Sequence, residues 1–238
     1  MTDTMRKENE KILKAFEGLR VADIRDGMDW CGYMHYGTVS SKIMPLFPTM
    51  KIGIAHTYRF LPYQGPTPAF TGEAYTKWAY DEYYTKICNL GTLLETVEKG
   101  DFLCLDQSGI DVGLIGSNSG LHGIKNGAVG WLSNGGVRDT DELILEKVPF
   151  WGTMHSQPMV QGRLTWNPED ENIQIAIGGV VIHSGDVVAA DSDGAVVVPR
   201  KIALDVARYA KQEYVNDMKT LNNMYEDMSL EIDRSVLD

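Results

Sequence analysis

The chain has 238 residues, 43% of them hydrophobic and 23% charged, and a net charge of −11. This is the balance of a globular protein long enough for one large domain or two small ones. The acidic surplus, with no stripe of basic residues, excludes a nucleic-acid surface, and no apolar run approaches the roughly 18–20 residues that span a bilayer.

The polar N-terminus, MTDTMRKENEKILKAF, lacks the apolar core of a signal peptide. Ile12, Leu13, Phe16 and Leu19 fall at helical spacing within 5–30, and Gly18 breaks or bends the run. A second short helix carries Asp26 and Asp29, with Gly27 and Gly32 as its brackets. Val39 to Phe60 reads as extended, with KIGIAHTYRF as a buried strand. Pro62, Gly65, Pro66 and Pro68 mark a loop, and 73–98 reads as helical again. Its aromatics, Trp78 and Tyr83 among them, are assigned to the core. Two passages echo each other: Lys99–Gly109 (KGDFLCLDQSG) and Ser184–Gly194 (SGDVVAADSDG). Each has a Gly-Asp turn, a strand-like run and an Asp-x-x-Gly turn. Between them GLHGIKNGAVGWL reads as a helix closed by Gly127 and then a strand. Residues 201–229 form a long C-terminal helix with Ile202, Val206, Tyr209 and Ala210 as its apolar stripe. The tail after Glu231 is expected to be frayed or partner-bound. Strands alternating with helices indicate an α/β layered fold. Cys31, Cys88 and Cys104 have no C-x-x-C spacing, which suggests reduced thiols in a cytoplasmic protein.

The stretch Gly130–Leu143 (GWLSNGGVRDTDEL) carries the chemistry. Trp131 and Leu132 run into Asn134-Gly135-Gly136, where positive φ is expected. Such a turn delivers Arg138 and Asp139 to the end of a sheet, the usual ligand position in α/β proteins. A carboxylate can hold a hard divalent cation, and a guanidinium can grip a substrate carboxylate. The plainer alternative is a surface ion pair capping a helix at Thr140–Leu145.

The pieces GSNSGLHGIKNGAVGWLSNGGVRD and HSGDVVAADSDGAVVVPR, in this order, resemble the RraA-like family. That family includes the regulator of ribonuclease activity A and the class II aldolases for 4-hydroxy-4-methyl-2-oxoglutarate and 4-carboxy-4-hydroxy-2-oxoadipate. The resemblance is strong from about 100 to 200. DIRDGMD is similar to the family's opening helix, and 61–90 is longer than in its short members. The resemblance implies a single domain over 1–238, an α/β/α arrangement with a swivelling β/β/α core, and trimers or hexamers with sites between subunits. It places Mg²⁺ or Mn²⁺ on Asp139 and the pyruvyl moiety on Arg138. The ribonuclease regulator lacks an acid after its Arg, so the Arg138-Asp139 pair favours the metal enzyme. Gly116-Ser117 stands where the aldolases carry Gly-Glu or Gly-Asp; Ser117 or Asn118 can bond a water but cannot act as an anion. The family also brings a C-terminal glutamate from a neighbouring subunit. Glu213 is the candidate, with Asp217 and Glu226 as competitors.

The expected activity is therefore a divalent-metal-dependent lyase on a 2-oxo acid, cleaving by retro-aldol to release pyruvate or decarboxylating oxaloacetate. The ion polarises the keto oxygen, a water it acidifies is the base, and Arg138 neutralises the developing charge. If Ser117–Gly120 open a helix, their N–H groups form a second anion cradle. The substrate-binding set is thus Arg138 with Gly116, Ser117, Asn118, Ser119 and Gly120. Arg59 is a candidate second carboxylate anchor, and His122 can approach the site. His56 reads as a packed histidine, and Asp191 and Asp193 as turn residues. The alternative function is a non-catalytic regulator that presents an acidic surface to a protein partner. A methyltransferase is disfavoured, since no early strand, Gly-rich loop and acid pattern occurs.

Overall fold

The computed structural model describes residues 2–232, so the expectation for the tail falls outside it from residue 233 onward. Among the described residues the α-helices are α1 (Asp3–Phe16), α2 (Val21–Trp30), α3 (Gly72–Trp78), α4 (Leu90–Glu95), α5 (Ser117–Asn126), α6 (Thr140–Leu145) and α7 (Ala203–Asp227). The chain breaks after α1 at Gly18, which has φ +77°. Gly27 does not bracket α2 but lies inside it. A Cβ there would stand 2.5 Å from the Val206 carbonyl oxygen, so its role is to let α2 lie close on α7. The expected helix over 73–98 is three pieces. A π-helix, Ala79–Ile87, follows α3, and Cys88 and Asn89 separate it from α4. The wide winding ends where the Cys88 N–H reaches back five residues to the Tyr83 carbonyl at 2.8 Å. It seats Tyr83 in the core, its hydroxyl donating to the Val160 and Leu164 carbonyls.

The strands are β1 (Met44–Pro45), β2 (Lys51–Arg59), β3 (Leu61–Pro62), β4 (Asp101–Asp106), β5 (Gly113–Ile115), β6 (Gly130–Ser133), β7 (Gly136–Val137), β8 (Phe150–Gly152), β9 (Met154–His155), β10 (Leu164–Thr165), β11 (Ile175–Ile177), β12 (Val180–Ile182), β13 (Val187–Asp191) and β14 (Gly194–Val198). Seven of them form one sheet in the order β1-β8-β6-β4-β2-β13-β14. Strands β2, β4, β6 and β8 run parallel, and β13 is antiparallel to both β2 and β14.

Period-two alternation sorts the strand residues between two faces. Ile54, Val187, Ala189, Val196 and Val198 pack under α1, α2 and α7. Farther along the same face, Leu103, Leu105, Trp131 and Phe150 form a core with residues of α4, α6 and the π-helix. The opposite face carries Ala55, Phe102, Cys104, Leu132, Val188 and Val197 against the β11–β12 hairpin. Hairpin, sheet and helices make a β/β/α layering within an α/β fold.

The echoed passages become β4 and β13, on either side of β2. Both begin on the same turn. Asp101 accepts the Glu98 N–H (2.8 Å) and Asp186 accepts the His183 N–H (2.9 Å). Both end alike, with Asp106 taking the Ser108 N–H (3.0 Å) and Asp191 that of Asp193 (2.8 Å). Asp191 is therefore a turn residue, as its spacing suggests. Among the described residues no helix is long and apolar enough to cross a membrane.

Candidate active site

A small sheet, β5-β7-β9, lies beside the large one. Strands β5 and β7 run parallel, and the Arg138 N–H continues their pairing to the Ile115 carbonyl at 2.9 Å. Helix α5 leaves the C-terminal end of β5, and Arg138-Asp139 leave that of β7, so both arrive where open α/β sheets bind ligands. Asp139 stands in the left-handed region at φ 53°, ψ 43°, a conformation short polar residues tolerate best. It occupies the position before α6, yet its side chain makes no capping bond to that helix. The carboxylate turns back instead. Oδ2 accepts the Ser117 N–H at 3.3 Å, and Oδ1 accepts from Arg138 Nε at 3.2 Å. The ion pair of the plainer alternative is therefore present, but it does not cap α6.

Glycines make this approach possible, though not as expected. A Cβ on Gly116 would fall 2.3 Å from Asp139 Oδ2. Neither Gly135 nor Gly136 has positive φ. They are bare because Gln107 and Ser156 each approach within 2.5 Å of where their Cβ atoms would be. The strained residue is Asp139 itself, a position of the kind that clusters at functional sites.

Arg138 and Asp139 line a cleft of about 680 Å³ together with Gly116, Asn118 and Ser119. Ser117 contributes through its backbone, and that N–H serves the chain's own carboxylate instead of an added anion. Gly120 corrects the expected cradle. It is buried, its N–H bonds the Gly116 carbonyl within the helix, and its missing Cβ makes room for Leu143. Arg59 is also corrected: its guanidinium donates to Asp170 and does not line the cleft. His122 is exposed on α5, outside the lining. Within its own chain Glu213 lies on α7 and accepts from Trp30 Nε1 at 3.0 Å, apart from the cleft. Burial, and then the charge of Glu213, push the nearby Asp26 carboxyl up.

The rest of the cleft lining was missed in the sequence. Tyr80, Tyr84, Asn89 and Leu90 come from the long segment before β4, and Met159 and Val160 from the loop after β9. The segment's extra length was the available signal. Its aromatics divide: Tyr83 enters the core, while Tyr80 stays 67% exposed over the cleft. Burial pushes the Tyr84 phenol up, and the nearby Arg138 charge acts the other way.

A second cavity, of about 530 Å³, lies at the start of β4. There His56 is buried between two carboxylates, Nδ1 to Asp101 at 2.8 Å and Nε2 to Glu171 at 2.7 Å. Its ring stacks on Tyr58 with centroids 4.6 Å apart. Burial is the largest single influence and opposes the charge. The bonds and charges of Asp101 and Glu171 together outweigh it, and the imidazole pKa is raised. His56 is thus packed, as expected, with a carboxylate on each ring nitrogen.

Residues 21–197 match the family described as RraA-like: Aldolase/RraA. The chain belongs to that family. A relative from Cupriavidus taiwanensis named "Putative 4-hydroxy-4-methyl-2-oxoglutarate aldolase" is 30% identical over 139 residues, 58% of this chain and 80% of that protein. Protein DlpA of Legionella pneumophila is 28% identical over 200 residues, 83% of this chain but only 28% of DlpA. The solved Streptomyces coelicolor RraAS2, described as an unusual member of the RNase ES inhibitor RraA protein family, superposes with a TM-score of 0.71 at 22% identity, covering 90% of this chain and 97% of that one. At that identity the likeness is one of fold. The RraA-like fold thus serves proteins named for a lyase and proteins named for inhibition.

Proposed function

We propose that this RraA-like chain is a divalent-cation-dependent lyase that cleaves a 2-oxo acid by retro-aldol chemistry or decarboxylates an oxaloacetate-like acid, releasing pyruvate. The observation that carries this reading is the convergence of the Asp139 carboxylate and the Arg138 guanidinium over the N-terminus of α5. The donor set fits a hard ion. It offers one carboxylate with its side chain about one-third exposed, seated where Gly116 has no Cβ, and the side-chain oxygens of Asn118 and Ser119 in the same cleft. Among the described residues no three His, Cys, Asp or Glu are placed to hold a metal ion together, and an ion on the single carboxylate of Asp139 would keep several waters, as Mg²⁺ and Mn²⁺ do. When bound at Asp139, such an ion supplies Lewis acidity toward the keto oxygen of the substrate.

The chain's own residues do the rest. Among the described residues the Nη groups of Arg138 have no protein partner, its Nε being bound to Asp139. They are free to take the substrate carboxylate in a bidentate grip and to offset charge that develops as the carbon–carbon bond breaks. Asn118 and Ser119 orient the acid by hydrogen bonding. Helix α5 directs the positive end of its dipole at the same point. Glu213 is assigned to the site of an adjoining copy in a trimer or hexamer. The free thiols of Cys31, Cys88 and Cys104 support a cytoplasmic setting.

A coupled assay for pyruvate tests the reading. Release from 4-hydroxy-2-oxo acids or oxaloacetate, above the rate without protein, is expected with Mg²⁺ or Mn²⁺ and is expected to vanish with chelator. Silence across that panel overturns it and favours the protein-binding alternative. A second test is steric. Gly116 sits at φ −119°, which alanine adopts freely, but the added methyl would collide with Asp139 Oδ2. Gly116→Ala is expected to weaken Mn²⁺ binding, read by calorimetry, by about 10–100-fold. Wild-type affinity in that variant would show that Asp139 does not hold the ion.

A further inference from the structure

The residues that line the cleft are of two chemical kinds. Asp139, Arg138, Asn118 and Ser119 are charged or polar; Tyr80, Tyr84, Leu90, Met159 and Val160 are aromatic or aliphatic. The Tyr80 and Tyr84 rings lie 5.9 Å apart, tilted by 47°. Both belong to the π-helix Ala79–Ile87, and π-helical turns are frequent at functional sites. Arg138 is the one cation lining the cleft among the described residues. Arg59, the other candidate anchor, is committed to Asp170.

This asymmetry bears on the substrate. 4-Hydroxy-4-methyl-2-oxoglutarate, which gives several relatives their name, carries two carboxylates. In this cleft Arg138 would take one, and the other would lie against tyrosine faces and aliphatic side chains. A carboxylate desolvated there without a partner is unfavourable, whereas an aromatic or aliphatic group gains by the same burial.

Resting on the lyase reading of Arg138 and Asp139, we infer that the substrate is a 4-hydroxy-2-oxo monocarboxylate whose far end is an uncharged apolar or aromatic group seated against Tyr80 and Tyr84. In its cleavage the C3–C4 bond breaks and its electron pair stays on C3. The C4 hydroxyl loses its proton as C4 becomes the carbonyl of an aldehyde or ketone. C3 takes up a proton, and the second product is pyruvate. No oxidant or reductant enters.

Binding tests this without turnover. 4-Phenyl-2-oxobutanoate and 2-oxoglutarate both lack the C4 hydroxyl, so neither can undergo the retro-aldol step. Titrated calorimetrically in buffered Mg²⁺, the phenyl compound is expected to bind at least tenfold tighter. Tyr80 is exposed, so changing it spares the core. Tyr80→Ala is expected to reduce that ratio by at least threefold, and Tyr80→Arg to move it further toward 2-oxoglutarate by supplying the absent cation, with the circular dichroism spectrum retained in both. A wild-type ratio favouring 2-oxoglutarate, or a ratio that neither substitution moves, overturns the inference. A parallel pyruvate assay compares 4-hydroxy-4-phenyl-2-oxobutanoate with 4-hydroxy-4-methyl-2-oxoglutarate. Phenyl-selective binding with no pyruvate from either compound defeats the lyase reading and leaves the ligand class standing. Pyruvate released preferentially from the dicarboxylate does the reverse.

Discussion

Asp139→Asn is expected to lower metal-dependent pyruvate release by about 10²–10³-fold, the scale seen when one preorganised electrostatic group is lost from an active site. The substitution is nearly isosteric. Asparagine tolerates the left-handed backbone at this position, and its amide oxygen can still accept the Ser117 N–H. What disappears is the negative charge that would hold a divalent cation and that now sits against Arg138. Calorimetry with Mn²⁺ should show the strong binding event abolished in the variant. Fold stability should hardly change, because the Arg138–Asp139 pair is about one-third exposed and such pairs contribute no more than about 1 kcal/mol. A variant that both binds Mn²⁺ and turns over like wild type would remove the basis of the proposed function. One that unfolds would show Asp139 to be structural.

The second large effect is on stability and arises at the other cavity. Each nitrogen of His56 faces a carboxylate, so both bonds form only when both nitrogens carry protons. His56→Ala leaves Asp101 and Glu171 facing each other, buried, with no cation between them. Breaking a buried pair in this way costs about 3–5 kcal/mol, and urea unfolding at pH 6 should show a loss of that order. The pH dependence follows from the direction of the shift. The folded-state pKa of His56 is raised above the unfolded value of about 6.5. Its stabilisation is therefore fully present below about pH 6.5 and is lost as pH rises through the folded-state pKa. The gap between wild type and His56→Ala should narrow over that rise. A loss below about 1 kcal/mol at pH 6, or a gap that widens with pH, would contradict a charged clamp.

Much of the frame was legible in the sequence. The buried strand KIGIAHTYRF became β2, an interior strand of the sheet. The paired Gly-Asp and Asp-x-x-Gly turns became the ends of β4 and β13. The helix expected from Gly120 to Gly127 became α5, closed by Gly127 in the left-handed region. The adjacent Arg138 and Asp139 were legible as a pair. These features depend on residues a few positions apart, where turn chemistry and side-chain periodicity act directly on the local backbone.

Other features required the closed fold. That Gly135 and Gly136 are bare for packing, while Asp139 takes the left-handed backbone, depends on Gln107, Ser156 and α5 arriving from elsewhere in the chain. His56 finds its partners 45 and 115 residues away, a match that sheet register produces and no local pattern encodes. The π-helix that turns Tyr83 inward and Tyr80 toward the cleft ends where Cys88 bridges to Trp166, a contact between segments far apart in the chain. By itself the sequence determined the α/β elements, their turns and the presence of an acid beside an arginine, because neighbouring residues impose those. Only tertiary structure decided where that acid points, which residues line the cleft with it and which histidine sits between two carboxylates, because each depends on distant residues being brought within a few ångströms of one another.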